Sequence, residues 1–283
     1  MNEGSNSRPV VGAAVWADDL ERIDGLPGFL MDSDRDVEIR DFYLVDALRT
    51  DWSQLVETVR GKLDGHRGRV GIHGPSKGFH LDTHDPDIRA IAQARLHAGL
   101  DACLAVTGSP GTGHMVVHSP YRTWDWHNLD RGPGERAKKI ERVHETLREV
   151  VKRAEDEGVV IVIENVEDKD PHDRVELARS FDSPAVKVSL DTGHAHYAYG
   201  ATGAPPVDHY VRAAGAMLSH VHLQDGDGFA DRHWQIGRGS IMWHSVFGAL
   251  AELPDMPRLL LELREAADLL PSAKWLAEVG LAD

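Results

Sequence analysis

The chain reads as an α/β protein, a single (β/α)8 TIM barrel, and three observations carry that prediction. Eight short apolar runs alternate with longer amphipathic stretches along the 283 residues, with no linker or shift in composition between them. Several runs are continuously apolar and β-branched, as strands of a parallel sheet buried on both faces must be. The polar residue of almost every run stands at its C-terminal end: His73, His118, Glu164, Asp191, His222 and Glu262. Core packing admits polar groups rarely and with no preference for one end of a strand. A barrel gathers its functional groups at the rim where the strands finish. A doubly wound sheet is the alternative, but the even number of strands and the chain length favour closure.

In chain order, residues 1–8 are polar and expected to fray, leaving 9–283 as one barrel domain. Strands are expected at VVGAAV (10–15), VEIRDF (37–42), RVGIHGP (69–75), HMVVHSP (114–120), VVIVIENV (159–166), VKVSLDTG (186–193), SHVHLQD (219–225) and RLLLELR (258–264). Helices are expected at 51–63, 86–107, 134–157, 171–181, 206–217, 241–253 and 268–279. Asp85-Pro86 and Asp170-Pro171 place a capping carboxylate before a first-turn proline, and Pro133-Gly134-Glu135 sits where another helix should begin. No internal repeat stands out beyond the strand–helix alternation.

The balance of 31 basic against 46 acidic residues gives a net charge of −15. Such a surface repels nucleic acid and anionic membranes, and the basic stretch from Arg131 to Arg142 is broken by acids. A small-molecule partner is therefore expected, nucleic acid is not, and a homo-oligomer is left open. The one cysteine, Cys103, lies in the apolar run LDACLAV and reads as a packing residue; no disulfide within the chain can form. With no apolar leader and no apolar run of membrane-spanning length, the expected location is the cytoplasm.

The densest chemistry lies between Ser219 and Trp243, SHVHLQDGDGFADRHWQIGRGSIMW. A strand, Val221–Leu223, leads into a loop carrying Asp225, Asp227, Asp231 and His233. Solvated charge explains the aspartates but not the histidines that frame them. Imidazole and carboxylate arriving together suit a borderline divalent ion such as zinc. Glu164 and Glu262 end nearly unbroken apolar strands, where an unpaired carboxylate is costly, so a metal or an arginine must be close. The plain alternative is an ion pair such as Glu262 with Arg264. Asp191 either joins the site or caps the following helix or turn, and His194 can point into the same cavity. His220 and His222 share one strand face. His222, nearer the loop, is the better ligand, and His220 a step deeper reads as its hydrogen-bonded support or as a substrate contact. His73 and His118, each followed by a small residue and proline, complete the rim. Asp231 and His233 either ligate or simply brace the loop.

Taken together, IHGP, VVHSP, IENVED, SLDTGHA, HVHLQDGDG, DRHWQIGRGSI and LLLELR resemble the xylose isomerase-like barrel superfamily. That superfamily includes sugar and sugar-phosphate isomerases and epimerases and the endonuclease IV-type enzymes, and the resemblance covers about Val70 to Arg264. It implies a metal on Glu164, Asp191, His222 and Glu262. In the three-zinc endonuclease IV pattern, His73 and His118 would share a second ion with a bridging Glu164, and His194, Asp231 and His233 would hold a third. The acidic surface departs from a DNA-acting branch. The arginine that epimerases carry after the strand-seven histidine is replaced here by Gly228, with Arg232 or Arg238 as substitutes. Asp225, His220, Arg232 and Arg238 are thus the candidate substrate contacts.

The residues then serve two chemistries. The first, preferred on the full ligand set, is hydrolysis of a phosphate ester or phosphodiester of a small sugar-like or polyol substrate, with zinc, up to three ions, and Arg238 meeting the phosphate. The second is a sugar or sugar-phosphate isomerase or epimerase using one Mn, Mg or Co ion, with Glu164 and Glu262 exchanging a proton. Trp16, Trp124 and Trp126 could then wall a sugar face. A non-catalytic metal- or sugar-binding protein is a third class, disfavoured because rim donors of this kind leave a position open for chemistry.

Overall fold

Each apolar run becomes a short parallel strand, and the eight strands close on themselves in sequence order. The computed structural model describes residues 8–108, 113–129 and 131–283. The strands are β1 Gly12–Val15, β2 Val37–Ile39, β3 Val70–His73, β4 His114–His118, β5 Val160–Glu164, β6 Val186–Asp191, β7 Leu218–Leu223 and β8 Arg258–Leu261. The ring is completed by β1 pairing with β8, Gly12 opposite Leu260. The fold is a single (β/α)8 TIM barrel. The expected frayed N-terminus lies outside the described residues except for Arg8, which is tied to Asp283 at 2.6 Å and to the Ala277 carbonyl.

All seven expected helices form, within three residues of their expected ends (Pro86–Thr107 and Glu135–Glu157 are the longest). Asp85 and Asp170 cap theirs through backbone N–H groups, as the Asp-Pro pairs predict. Among the described residues, five further α-helices were not anticipated: Asp19–Arg22, Leu26–Met31, Val45–Arg49, Thr123–Asn128 and Thr192–Thr202. Four of them span six residues or fewer and carry no readable period. The fifth, TGHAHYAYGAT, lacks an apolar stripe and is started by Asp191, whose Oδ1 accepts from the His194 N–H at 2.6 Å. Among the described residues no helix is long and apolar enough to cross a membrane.

The outer faces of the strands pack Val, Ile and Leu against the helices. The interior departs from the branched aliphatic layers usual in such barrels. Strand register sets Ser189 beside His220 and His220 beside Arg258, one layer below Asp191 beside His222. Glu38, His114, Ser189 and His220 are all buried inside the ring. Gly71 makes room for this layer, since a Cβ there would fall 2.2 Å from His114 Nδ1.

Candidate metal centre

Nine of the strand-end and loop residues singled out above converge on the C-terminal mouth in three groups. These are His73, His118 and Glu164; Glu164, Asp191, His222 and Glu262; and His194, Asp231 and His233. Within each group the candidate donor atoms all lie within 4.8 Å of one another. A pocket of about 270 Å³ opens over them, lined also by Arg40, Tyr43, Ser76 and Lys77.

The hydrogen bonds reveal how the imidazoles are aimed. Backbone carbonyls can only accept, so each nitrogen bonded to one carries a proton. His73 Nδ1 donates to the Gly74 carbonyl at 3.0 Å, His194 Nδ1 to Asn165 at 2.8 Å and His233 Nδ1 to Glu262 at 3.0 Å. Their Nε2 atoms are thereby turned toward carboxylates. His73 and His118 approach Glu164 Oε2 at 3.7 and 3.3 Å, and His194 and His233 approach Asp231 Oδ1 at 3.5 and 3.0 Å. Glu164 Oε2 is buried with no hydrogen-bond partner. A buried carboxylate oxygen with no hydrogen-bond partner, facing two imidazole nitrogens, is a place for a cation. The donor set thus fits divalent metal on the geometry of this chain alone.

Electrostatics agree. Burial would raise the Glu164 carboxyl, but His222, His118 and His73 hold it well below the usual carboxylate range. Burial alone would lower His222; Glu262, Glu38 and Glu164 around it push it well above the ordinary imidazole value. His194 moves the same way against burial, driven by Asp191 and Asp231. Asp191 itself is raised, by burial. The cavity calls for positive charge, whether protons or a metal supply it.

Supporting groups hold the donors. Asn165 brackets the Asp191 backbone, accepting its N–H at 2.8 Å and donating to its carbonyl at 3.0 Å. Gln224 donates to Asp191 Oδ1 and Asp231 Oδ1 and accepts the His233 N–H at 2.7 Å. His233 sits at φ 51°, a conformation that a non-glycine residue holds only when its surroundings insist. Here the Arg264 N–H also grips its carbonyl, at 2.9 Å. Asp191 fills both expected roles, capping a helix and facing the centre. Glu262 does have an arginine partner, but it is Arg40 at 3.2 Å rather than Arg264.

The four expected substrate contacts lie elsewhere. The Asp225 carboxylate, fully buried, accepts from the backbone N–H of Gly226, Gly237 and Ile241 and from Trp243 Nε1, which organises the loop and leaves nothing for a substrate. His220 is sealed one layer down between Ser189 Oγ and Glu38. Arg232 pairs with Asp227 at 2.9 Å, and Arg238 is exposed with Asp268 at 3.9 Å; neither lines the pocket. Trp124 is 70% exposed and Trp126 42% exposed, away from the pocket, and Trp16 lies under the Arg40 guanidinium at 5.2 Å. Sequence reasoning missed Glu38, Arg40, Asn165 and Gln224. A glutamate inside the strand VEI was the one available signal for the first.

A closed barrel whose strand ends deliver buried carboxylates and aimed imidazoles to one mouth defines a (β/α)8 protein with a candidate metal centre. Residues 35–279 match the Xylose isomerase-like TIM barrel family, and the chain belongs to that family. It is 27% identical to the uncharacterized protein MJ1311 of Methanocaldococcus jannaschii, over 76% of this chain and 71% of that one. It is 30% identical to D-psicose 3-epimerase of Ruminiclostridium cellulolyticum, over 64% of this chain and 58% of that enzyme. Among solved structures, the TTHB071 protein of Thermus thermophilus, soaked with ZnCl2, matches with a TM-score of 0.70 and 25% identity, over 95% of this chain and 97% of the other.

Proposed function

We propose that the chain is a divalent-metal-dependent sugar epimerase or isomerase that moves a proton at the carbon beside a ketose carbonyl. The chain is an enzyme; the family and the site agree on that. One observation carries the finer reading. Glu164 from β5 and Glu262 from the end of β8 reach the same His222 Nδ1, at 2.5 and 3.4 Å, from separate arcs of the mouth. Two carboxylates flanking one position are what proton removal from one side and return from another require. The resemblance to a D-psicose 3-epimerase points the same way and reverses the preference for hydrolysis drawn from ligand count.

Glu164, Asp191, His222 and Glu262 would hold the ion. Bound there, a divalent metal supplies polarisation of the substrate's carbonyl or phosphoryl oxygen. This set is oxygen-rich and suits manganese or magnesium as well as zinc, while the imidazole-rich outer groups favour zinc. Burial would raise the Glu262 carboxyl, but His222 first and then Arg40 at 3.2 Å hold it down at about 2. Arg40, Lys77, His118, Asp231 and His233 are placed to bind sugar hydroxyls.

A second reading, hydrolysis of a phosphate ester, is favoured by one observation: all three donor groups assemble, not the central one alone. One experiment separates the two. Ketohexoses incubated with the Mn-, Co- or Zn-loaded chain in D2O should yield an epimer or an aldose carrying one solvent deuteron. Exchange into no ketose, together with cleavage of bis(p-nitrophenyl) phosphate, would reverse the choice. Metal content gives a second handle, because Asp231→Ala lowers the stoichiometry of a three-ion centre and spares that of a one-ion centre.

A further inference from the structure

We propose that Glu38 is a positioning residue of this centre: by accepting the Nε2–H of His222 it presents the His222 Nδ1 lone pair to the ion shared with Glu164, Asp191 and Glu262. The inference rests on the metal reading above and deepens it. Nothing in the mouth reveals Glu38, which is fully buried on β2, one layer below.

Proton counting makes the argument. An ionised carboxylate only accepts. Glu38 Oε1 meets His222 Nε2 at 2.9 Å, while Oε2 meets His114 Nε2 at 2.8 Å and His220 Nε2 at 3.0 Å. All three imidazoles must then carry hydrogen on Nε2. The far nitrogens check this independently. His114 Nδ1 faces the Arg258 guanidinium, which can only donate, so the His114 proton must be on Nε2. His220 Nδ1 faces Ser189 Oγ at 2.8 Å, a hydroxyl able to donate. The His114 tautomer is thus fixed from both sides, and the Ser189 hydroxyl is free to match that of His220.

His222 has no such neighbour. Beyond His222 Nδ1 stand two carboxylates and no donor, Glu164 Oε1 and Glu262 Oε2. Moving the neutral ring's proton to Nδ1 would leave Nε2 bare against Glu38 Oε1, two acceptors sealed together in the interior, at the full cost of an unmade buried hydrogen bond. Glu38 therefore selects the nitrogen that faces the ion, and Arg258, His114, Ser189 and His220 hold Glu38 to that orientation. A carboxylate behind a ligating histidine both orients the ring and strengthens it as a donor.

The arrangement dictates what glutamine would do. In Glu38→Gln the side facing His114 and His220 must remain an acceptor, because Arg258 fixes His114 as an Nε2 donor. The amide oxygen therefore takes that side, and the NH2 group turns to His222 and donates to its Nε2. The His222 proton moves to Nδ1, and the ligand nitrogen is lost. Zinc affinity, measured by competition with a chromophoric chelator, should fall on the order of 10–100-fold. In histidine-15N spectra the zinc-loaded wild-type chain should show His222 protonated at Nε2 and bound through Nδ1, whereas the metal-free variant should show the opposite tautomer. The wild-type spectrum stands even if the variant does not fold. Undiminished zinc affinity in Glu38→Gln, or zinc-loaded wild-type His222 protonated at Nδ1, overturns the assignment while leaving the metal centre intact. A wild-type chain that takes up no ion removes the metal reading itself, and Glu38's role with it.

Discussion

Two layers of histidines occupy the barrel, one layer of side chains apart, and they are wired differently. In the lower layer, His114 and His220 have both nitrogens engaged, by Glu38 together with Arg258 or Ser189. Burial, with Arg258 or His222 nearby, keeps both below the ordinary imidazole value and neutral. In the upper layer, His73, His194 and His233 commit one nitrogen to a carbonyl and aim the other at a carboxylate. A histidine whose two nitrogens are both satisfied is part of the scaffold. One satisfied on a single side, with bare oxygen opposite, is a ligand waiting for charge. His222 belongs to both layers and couples them.

The comparison breaks most sharply under metal removal. Chelation should abolish turnover and re-addition restore it. At an ion concentration a hundredfold above the dissociation constant it should also cost about 2.7 kcal/mol of stability, read as a fall in thermal midpoint of several degrees. Glu164→Gln comes next, with kcat down about 10²–10⁴-fold in steady-state assays at saturating metal and little change in the metal-free melting curve. A lower-layer change that leaves Glu38 and His222 in place should do the reverse. Ser189→Ala strands the His220 Nδ1 lone pair and should cost about 1–3 kcal/mol by urea denaturation, with zinc content unchanged. Loss of zinc there would erase the distinction between layers.

A pH series sharpens the contrast. Burial alone would lower His233, but Asp231, Glu262 and Asp191 raise it to about 9 in the metal-free chain. A folded value above the unfolded one, about 6.5, adds stability that is fully present below pH 6.5 and lost as pH climbs through 9. Denaturation midpoints of the metal-free chain should therefore decline over that window, and those of the zinc-loaded chain, with Nε2 occupied, should decline less. Smallest of all, Arg238→Ala should leave kcat unchanged and stability within about 0.5 kcal/mol, because the side chain is exposed and outside the pocket. A large loss of kcat would return Arg238 to the substrate.

The barrel and most of the upper layer were legible in the sequence because six polar residues stand at or next to the ends of apolar strands, which converge, while His194, Asp231 and His233 follow them in the adjoining helix and loop. His73 and Glu262 lie far apart in the chain yet could be grouped on that ground. The lower layer hid because its logic is pairwise. Glu38 reads as the polar member of a half-exposed strand, and its partner His222 is 184 positions away. Arg40 escaped notice for the same reason, with Glu262 near the other end of the chain. Asp225, Arg232 and Arg238 were grouped with the substrate because charge in a loop does not disclose whether it faces a ligand or its own surroundings.

The Asp225 carboxylate, knotted to Gly226, Gly237, Ile241 and Trp243, has one more consequence. The segment it cinches carries Asp231 and His233, so these side chains ride on a prefabricated cassette rather than on a swinging lid. Admission of a substrate must then be governed from the opposite lip of the mouth. New substrate preferences would arise there by exchanging side chains, while this cassette stays unaltered.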